Sequence, residues 1–235
     1  YTSEPFYITN NKKFKGGSRA LLLRERCLGC SLIMPSLKDI ILQTALKLLI
    51  EFKCEKIFNC QSFGFRPNKS IHHALSSVKK MKGVTWIIEG RINRFFDNIN
   101  TKILVNIFKD KLNPDRTLLG IINKLLKVGP LVNPFFDIIS PTLFNIYLTP
   151  LDEFIDKLKE SYTISSLKIY YVRFADEWVL GVKGDISYSD LYKIQEQIKT
   201  FLRDELELEL EKNKLINLNK NFSNFLGHRC TINTA

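Results

Sequence analysis

The sequence predicts an α+β fold, and three observations carry that expectation. Apolar residues recur at helical spacing in several segments separated by polar breaks, as over Asp39–Phe52 and Ser187–Leu206. Tyr171–Gly181 (YVRFADEWVLG) reads instead as two short β-rich runs around Ala175-Asp176-Glu177. The chain has 235 residues, 45% hydrophobic and 25% charged, which is enough to bury a core as one or two lobes.

The elements follow in order. Residues Tyr1–Gly17 are polar, with Asn10-Asn11-Lys12-Lys13 and Gly16-Gly17, and read as a basic arm or loop. Lys38–Lys53 is expected to be a helix, with Ile40, Ile41, Ala45, Leu48 and Leu49 as its apolar positions. Ser70–Met81 is a helix opened by Ser70, and Val84–Glu89 a strand. Thr101–Asp110, capped by Asn100 or Thr101, and Asp115–Leu126 are further helices. Pro141–Lys159 is a long helix that Pro150 kinks or divides. Leu167–Arg173 and Trp178–Lys183 form a hairpin around Asp176. Ser187–Leu206 is a helix whose Leu191, Ile194, Ile198 and Leu202 share one face. Glu205–Glu211 alternates Leu and Glu, which suits a strand or an extension of the preceding helix. Asn217–Asn221 is a turn and Ser223–Cys230 a final strand.

Charge narrows the function. Lys and Arg number 35 against 24 Asp and Glu, a formal net charge of +11. That balance implies a polyanionic partner, most simply nucleic acid, with a membrane surface the weaker alternative. No apolar run approaches the ~20 residues needed to span a bilayer. Five scattered cysteines argue against an oxidised framework, and the lone Cys27-Leu28-Gly29-Cys30 reads more simply as buried thiols than as a metal or redox site. His72 and His73 are expected to make local hydrogen bonds or phosphate contacts rather than to bind metal. Opening on Tyr1 without a visible targeting sequence, the chain reads as a piece of a longer protein.

Two adjacent acids at a tight turn repel each other, and the usual compensation is a divalent cation. Several motifs sit around that turn in a fixed order: Gln61–Leu75 (QSFGFRPNKSIHHAL), Trp86–Ile99 (WIIEGRINRFFDNI), Ser140–Asp152 (SPTLFNIYLTPLD) and Phe225-Leu226-Gly227 after ELELELEKNKL. With Arg26–Leu48 as an entry segment, these blocks resemble the reverse transcriptase domain of group II intron-encoded proteins, the maturases of organelles and bacteria. The resemblance covers about Arg26 to Gly227 and is specific in order and spacing. It implies the fingers and palm of a right-hand polymerase fold with a mixed or antiparallel palm sheet. Residues 1–25 would be the basic arm, 26–83 the fingers-like region and 84–235 the palm-like region, with the family's thumb, X and endonuclease domains outside this chain.

The resemblance also implies a damaged active site. The family holds two magnesium ions with carboxylates from the residue after EG and from a Y-A-D-D turn. Here Arg91 follows Glu89-Gly90, and the turn reads Ala175-Asp176-Glu177. A guanidinium is always charged and cannot ligate a cation. The family's glycine-rich PQGG block is replaced by Pro134-Phe135-Phe136-Asp137, where two rings and an acid would obstruct a nucleotide. The basic residue expected after Asp39 is Ile40. Phe96 matches the family's aromatic gate that screens the ribose 2′-OH, although plain core packing is the stronger reading of it. The catalytic set is therefore expected to be vestigial (Arg91, Asp176, Glu177, Phe96 and Phe135), with no magnesium bound and a buried Arg91–Asp176 ion pair standing in for it.

Basic residues would carry the surviving function. Arg66, Lys69, Lys79, Lys80, Lys82, Arg94, Lys212 and Lys214 are the candidate RNA-binding set, each also readable as solvated surface charge. The partner implied is structured RNA, either intron RNA or ribosomal RNA, with other proteins of a ribonucleoprotein possible and no membrane. Two roles stay open: a maturase that aids splicing, and a structural subunit of a mitochondrial ribonucleoprotein such as the mitoribosome. A third, an active RNA-directed DNA polymerase, would need metal at Asp176 despite Arg91. The richness in Lys, Ile, Asn and Phe fits an AT-rich organellar genome and tilts the expected localisation to the mitochondrion, in its matrix.

Overall fold

The computed structural model describes residues 21–24, 31–34, 37–95, 98–128, 138–163 and 167–231. The expectations for residues 1–20 of the arm, Cys27, Cys30, Phe96 and Pro134 to Asp137 lie outside those residues, while Leu21–Arg24, expected to end the arm, form a strand instead. At the start, β1 (Leu21–Arg24) and β2 (Ser31–Met34) form an antiparallel pair. The central sheet has four strands in the order β4-β5-β3-β6, all paired antiparallel: β3 (Trp86–Ile92), β4 (Lys168–Phe174), β5 (Glu177–Lys183) and β6 (Leu210–Asn217). The helices are α1 (Leu37–Cys54), α2 (Ile71–Lys79), α3 (Thr101–Leu112), α4 (Arg116–Val128), α5 (Ser140–Tyr147), α6 (Thr149–Thr163) and α7 (Tyr188–Leu206). A small hairpin, β7 (Ser223–Phe225) with β8 (His228–Cys230), completes the described chain.

Alternation along the strands sorts the layers. Ile88, Ile92, Ile169, Tyr171, Trp178, Leu180 and Val182 face the main core, where they meet α1 and α3 to α7. Ile87, Val172 and Val179 face the other way, onto Phe63, Ala74 of α2 and Phe225 of β7. This is the expected α+β architecture with an antiparallel central sheet.

Local chemistry explains the boundaries. Ser70 caps α2, Asn100 caps α3 and Ser187 caps α7, each accepting from a backbone N–H of the first turn. Helix α7 buries Leu191, Ile194, Ile198 and Leu202, the expected face. The expected long helix at Pro141–Lys159 is divided at Leu148, and Pro150 sits in the first turn of α6, where its missing N–H costs nothing.

Four expectations need correction. Helix α1 buries Gln43, Leu46, Ile50 and Cys54, while Ile41, Leu48 and Leu49 are exposed. The helix is apolar almost all round, so spacing alone could not choose its inward face. Strand β3 starts at Trp86 rather than Val84 and runs on to Ile92, because both β5 and β6 pair along it. Glu205–Glu211 is neither strand nor helix throughout: α7 stops where Glu207 turns left-handed (φ 50°), and β6 begins only at Leu210. Ser223–Cys230 is a hairpin and not one strand, since Leu226 and Gly227 both take positive φ (50° and 77°), as a two-residue turn requires.

Candidate functional site

Three strands deliver the site. Arg91 on β3 is directly opposite Glu177 at the start of β5 on one side and Lys212 of β6 on the other. The tight turn between β4 and β5 is Ala175-Asp176, with Ala175 held at φ 54°. The Ile92 N–H donates to the Asp176 carbonyl at 3.2 Å, tying the turn to β3.

Arg91 gathers three acids. Its Nε lies 3.3 Å from Asp176 Oδ2 and 3.7 Å from Glu211 Oε2, and its Nη1 lies 3.4 Å from Glu177 Oε1. Partial burial pulls the Arg91 guanidinium down, but Asp176 and then Glu177 outweigh it, and the net shift is upward. The expected Arg91–Asp176 contact is therefore present, with Glu211 an addition the sequence did not flag. The expectation that the pair is buried is corrected: the Arg91 side chain is 47% exposed. Solvent screening at that exposure leaves about 0–1 kcal/mol for such a pair, so its main effect is on local charge rather than on stability.

Beneath the turn lies a buried polar network. Arg173, on the main-core face of β4, is fully buried and pairs with Asp152 of α6 through Nη2 at 2.6 Å and Nε at 2.8 Å. Its Nη1 donates to Asn145 Oδ1 and to the Ala175 carbonyl, both at 3.1 Å. The Tyr171 hydroxyl donates to Asp152 at 2.8 Å, and burial holds that phenol well above its ordinary pKa. Asn145 donates to the Gly64 carbonyl at 2.7 Å. The backbone of Arg173 exchanges hydrogen bonds with Gln61 and Phe63. The network thus fixes the GFRP loop and the acid turn to each other. Gly64 is required there, because a Cβ would sit 2.4 Å from the Ala175 nitrogen.

A second network anchors the β7–β8 hairpin. Glu89 is buried on β3 and accepts from Ser223 Oγ, from the Asn224 N–H at 2.7 Å and from Lys212 Nζ. Lys212 also donates to the Asn224 carbonyl at 3.2 Å.

These contacts redistribute the candidate RNA-binding residues. Arg66 is corrected to a structural residue. Its side chain is 4% exposed, chelates Glu55 through Nε and Nη2, and donates from Nη1 to the carbonyls of Asn59 (2.5 Å) and Ser62 (2.7 Å). Arg66→Ala is expected to lower stability by about 2 kcal/mol, through two abandoned carbonyls, while leaving RNA affinity unchanged; denaturant unfolding and RNA titration on the same variant check both halves. Lys212 pairs with Glu89, with its side chain still 29% exposed. Lys69 is half-buried over the Phe63 ring at 5.0 Å. Arg94 and Lys214 are exposed on the site side of β3 and β6. Lys79, Lys80 and Lys82 are exposed at the far end of α2, away from Arg91. His73 shares a 2.9 Å hydrogen bond with Ser70, a local contact.

The acids of the turn already face a cation. A magnesium ion takes oxygen ligands at about 2.0–2.1 Å and is usually held by one or two carboxylates together with water and substrate phosphates. Here a guanidinium lies against Asp176 and Glu177, and among the described residues no group of three His, Cys, Asp or Glu side chains is placed to hold a metal.

Comparison with known proteins bears on this geometry. The family described as reverse transcriptase (RNA-dependent DNA polymerase) matches residues 31–230. The chain is 29% identical to the group II intron-encoded protein LtrA of Lactococcus lactis subsp. cremoris, over 83% of this chain and 43% of that protein. It is 30% identical to a 91 kDa protein in a cob intron of Schizosaccharomyces pombe, over 85% of this chain and 31% of that protein. It therefore spans less than half the length of these relatives. Intron proteins and mitochondrial proteins of other eukaryotes match as well. Among solved structures, telomerase from Candida albicans, in complex with a fragment of telomeric RNA, superposes with a TM-score of 0.61 at 11% identity, over 89% of this chain and 43% of that one, a likeness of fold. With the family match spanning nearly all the described residues, the chain belongs to the reverse transcriptase family, in its group II intron-encoded reverse transcriptase/maturase branch.

Proposed function

We propose that this chain is a reverse transcriptase fold that no longer polymerises and that binds structured intron RNA in the mitochondrial matrix, aiding splicing as a maturase. The observation that carries the loss of activity is the Arg91 guanidinium lying against Asp176 and Glu177. Two-metal phosphoryl transfer needs carboxylates there to hold the ions that activate the primer hydroxyl and clamp the nucleotide phosphates. A fixed cation instead repels those ions and cannot be displaced by deprotonation. No magnesium is bound at this site in the proposed reading. The net charge of +11 supports a polyanionic partner, and the intron-encoded relatives support intron RNA as that partner. In this role the RNA supplies the chemistry, and the protein holds it folded.

Primer extension tests the first half. Purified protein with a primed homopolymer template and magnesium or manganese is expected to give no product above the protein-free background. Metal-dependent cDNA would overturn the reading. Sequencing of RNA that co-purifies with the native protein tests the second half: intron transcript is expected, and stoichiometric ribosomal RNA would replace the maturase role by a structural one.

A further inference from the structure

Six lysines meet at the end of the central sheet farthest from Arg91. Lys79 and Lys80 end α2, Lys82 lies in the loop into β3, Lys168 opens β4, Lys183 ends β5, and Lys220 lies in the turn after β6. All six are exposed, and none makes an ion pair among the described residues. Lys168 and Lys183 are directly opposite each other across the β4–β5 ladder. Like charges at such positions repel. The Lys183 side chain also runs over Gly83, whose Cβ position would lie 3.1–3.3 Å from its Cε, Cδ and Nζ, and so beside Lys82. Lys220 is held close by the Leu218 N–H, which donates to the Thr85 carbonyl at 2.9 Å. The nearby acids are few. Asp185, just after β5, is exposed, and Asp190 is already paired with Lys193 and Ser187.

The sheet sets the scale. Three strand spacings of about 4.8 Å separate β4 from β6, so the rim spans roughly 14 Å. Six residues of strand from Arg91 to Thr85 put it roughly 20 Å from the acid turn. Repulsion among unpaired cations is relieved by a chain of phosphates, and a rim of this width fits a run of backbone phosphates on a helix. Flexible lysines without a planar hydrogen-bonding fork suit phosphate rather than base recognition.

We propose that this lysine rim, remote from the acid turn, is a docking surface for the phosphate backbone of double-stranded RNA. The inference rests on the RNA-binding reading above and moves the main contact away from the cleft. Arg66, which is buried, and Lys212, which is paired with Glu89, then take no part, while Lys79, Lys80 and Lys82 act together with strand-end lysines.

The test compares two triple variants of equal charge change, using a fluorescently labelled A-form RNA duplex titrated at several salt concentrations. K82Q/K168Q/K183Q removes the centre of the rim. K102Q/K109Q/K124Q removes three exposed, unpaired lysines of α3 and α4. The rim variant is expected to bind about tenfold or more weakly, with a shallower salt dependence by about one unit per lost phosphate contact. The α3–α4 variant is expected to stay near the unaltered protein. Removal of the Lys168–Lys183 repulsion should leave the melting temperature unchanged or higher, which separates lost binding from lost fold. Equal losses in both triples, or a rim variant that binds like the unaltered protein, would overturn the inference while leaving RNA binding intact. An unaltered protein that fails to bind the duplex would overturn this inference and the RNA-binding reading together.

Discussion

Asp152→Ala is expected to destabilise the protein by about 3–5 kcal/mol, because it leaves a guanidinium buried without its counter-ion. Arg173 is fully buried, and two of its nitrogens are bonded to Asp152. Burial pulls its pKa down and Asp152 raises it by more; without Asp152 only burial is left, and a guanidinium still keeps its charge at any working pH. Tyr171 loses its acceptor in the same variant. For a chain of this size the loss corresponds to a fall in melting temperature of roughly 6–20 °C, and it is a large fraction of ordinary domain stability. The double substitution Asp152→Leu with Arg173→Met, which removes both charges, should recover much of it. Thermal unfolding of the two variants checks the argument, and a single variant that melts with the unaltered protein would refute it.

Gly90→Ala should also be severe, for a steric reason. A Cβ at Gly90 would lie 2.1 Å from the indole ring of Trp178, and Trp178 is 1% exposed within the core. Overpacking at such a site costs about 1–3 kcal/mol and occasionally more. Because Arg91 is the next residue and Glu177 precedes Trp178, displacement of the ring also loosens the three-acid contact. Trp178→Phe in the Gly90→Ala background should restore part of the stability, since a smaller ring vacates the space. Denaturant midpoints of the single and double variants decide it; a Gly90→Ala protein as stable as the unaltered one would mean that the ring moves freely.

How much of this was legible beforehand depends on the residue. Helix α7 was readable because Leu191, Ile194, Ile198 and Leu202 follow one helical stripe and Ser187 caps it. The acid hairpin was readable because two apolar runs flank a short polar turn, and the motif order around it placed Arg91 beside Asp176. Helix α1 was readable as a helix but not as to its buried side, since apolar residues surround it. The Leu-Glu alternation after α7 misled because Leu206 and Leu208 reach the core from a helix end and a left-handed turn, not from a strand. The true strand, β6, hides its pattern because most of its residues are only half-buried. The Asp152–Arg173 pair and the internal commitments of Arg66 and Lys212 were not legible. A charged residue in a sequence looks the same whether it meets water or a carboxylate many positions away, and only the fold decides.

The two margins of the central sheet are protected in different ways. Along β4 the Gln61–Phe63 segment occupies the backbone, with Ser62 bridging to Arg173. Among the described strands, β6 stands last and unpaired on its outer side, and it carries Glu211, Lys212 and Lys214. Charged side chains on an open margin discourage a second polypeptide from adding itself as a fifth strand. Self-association by that route is disfavoured, and a partner meets this sheet through side chains instead of through its peptide groups.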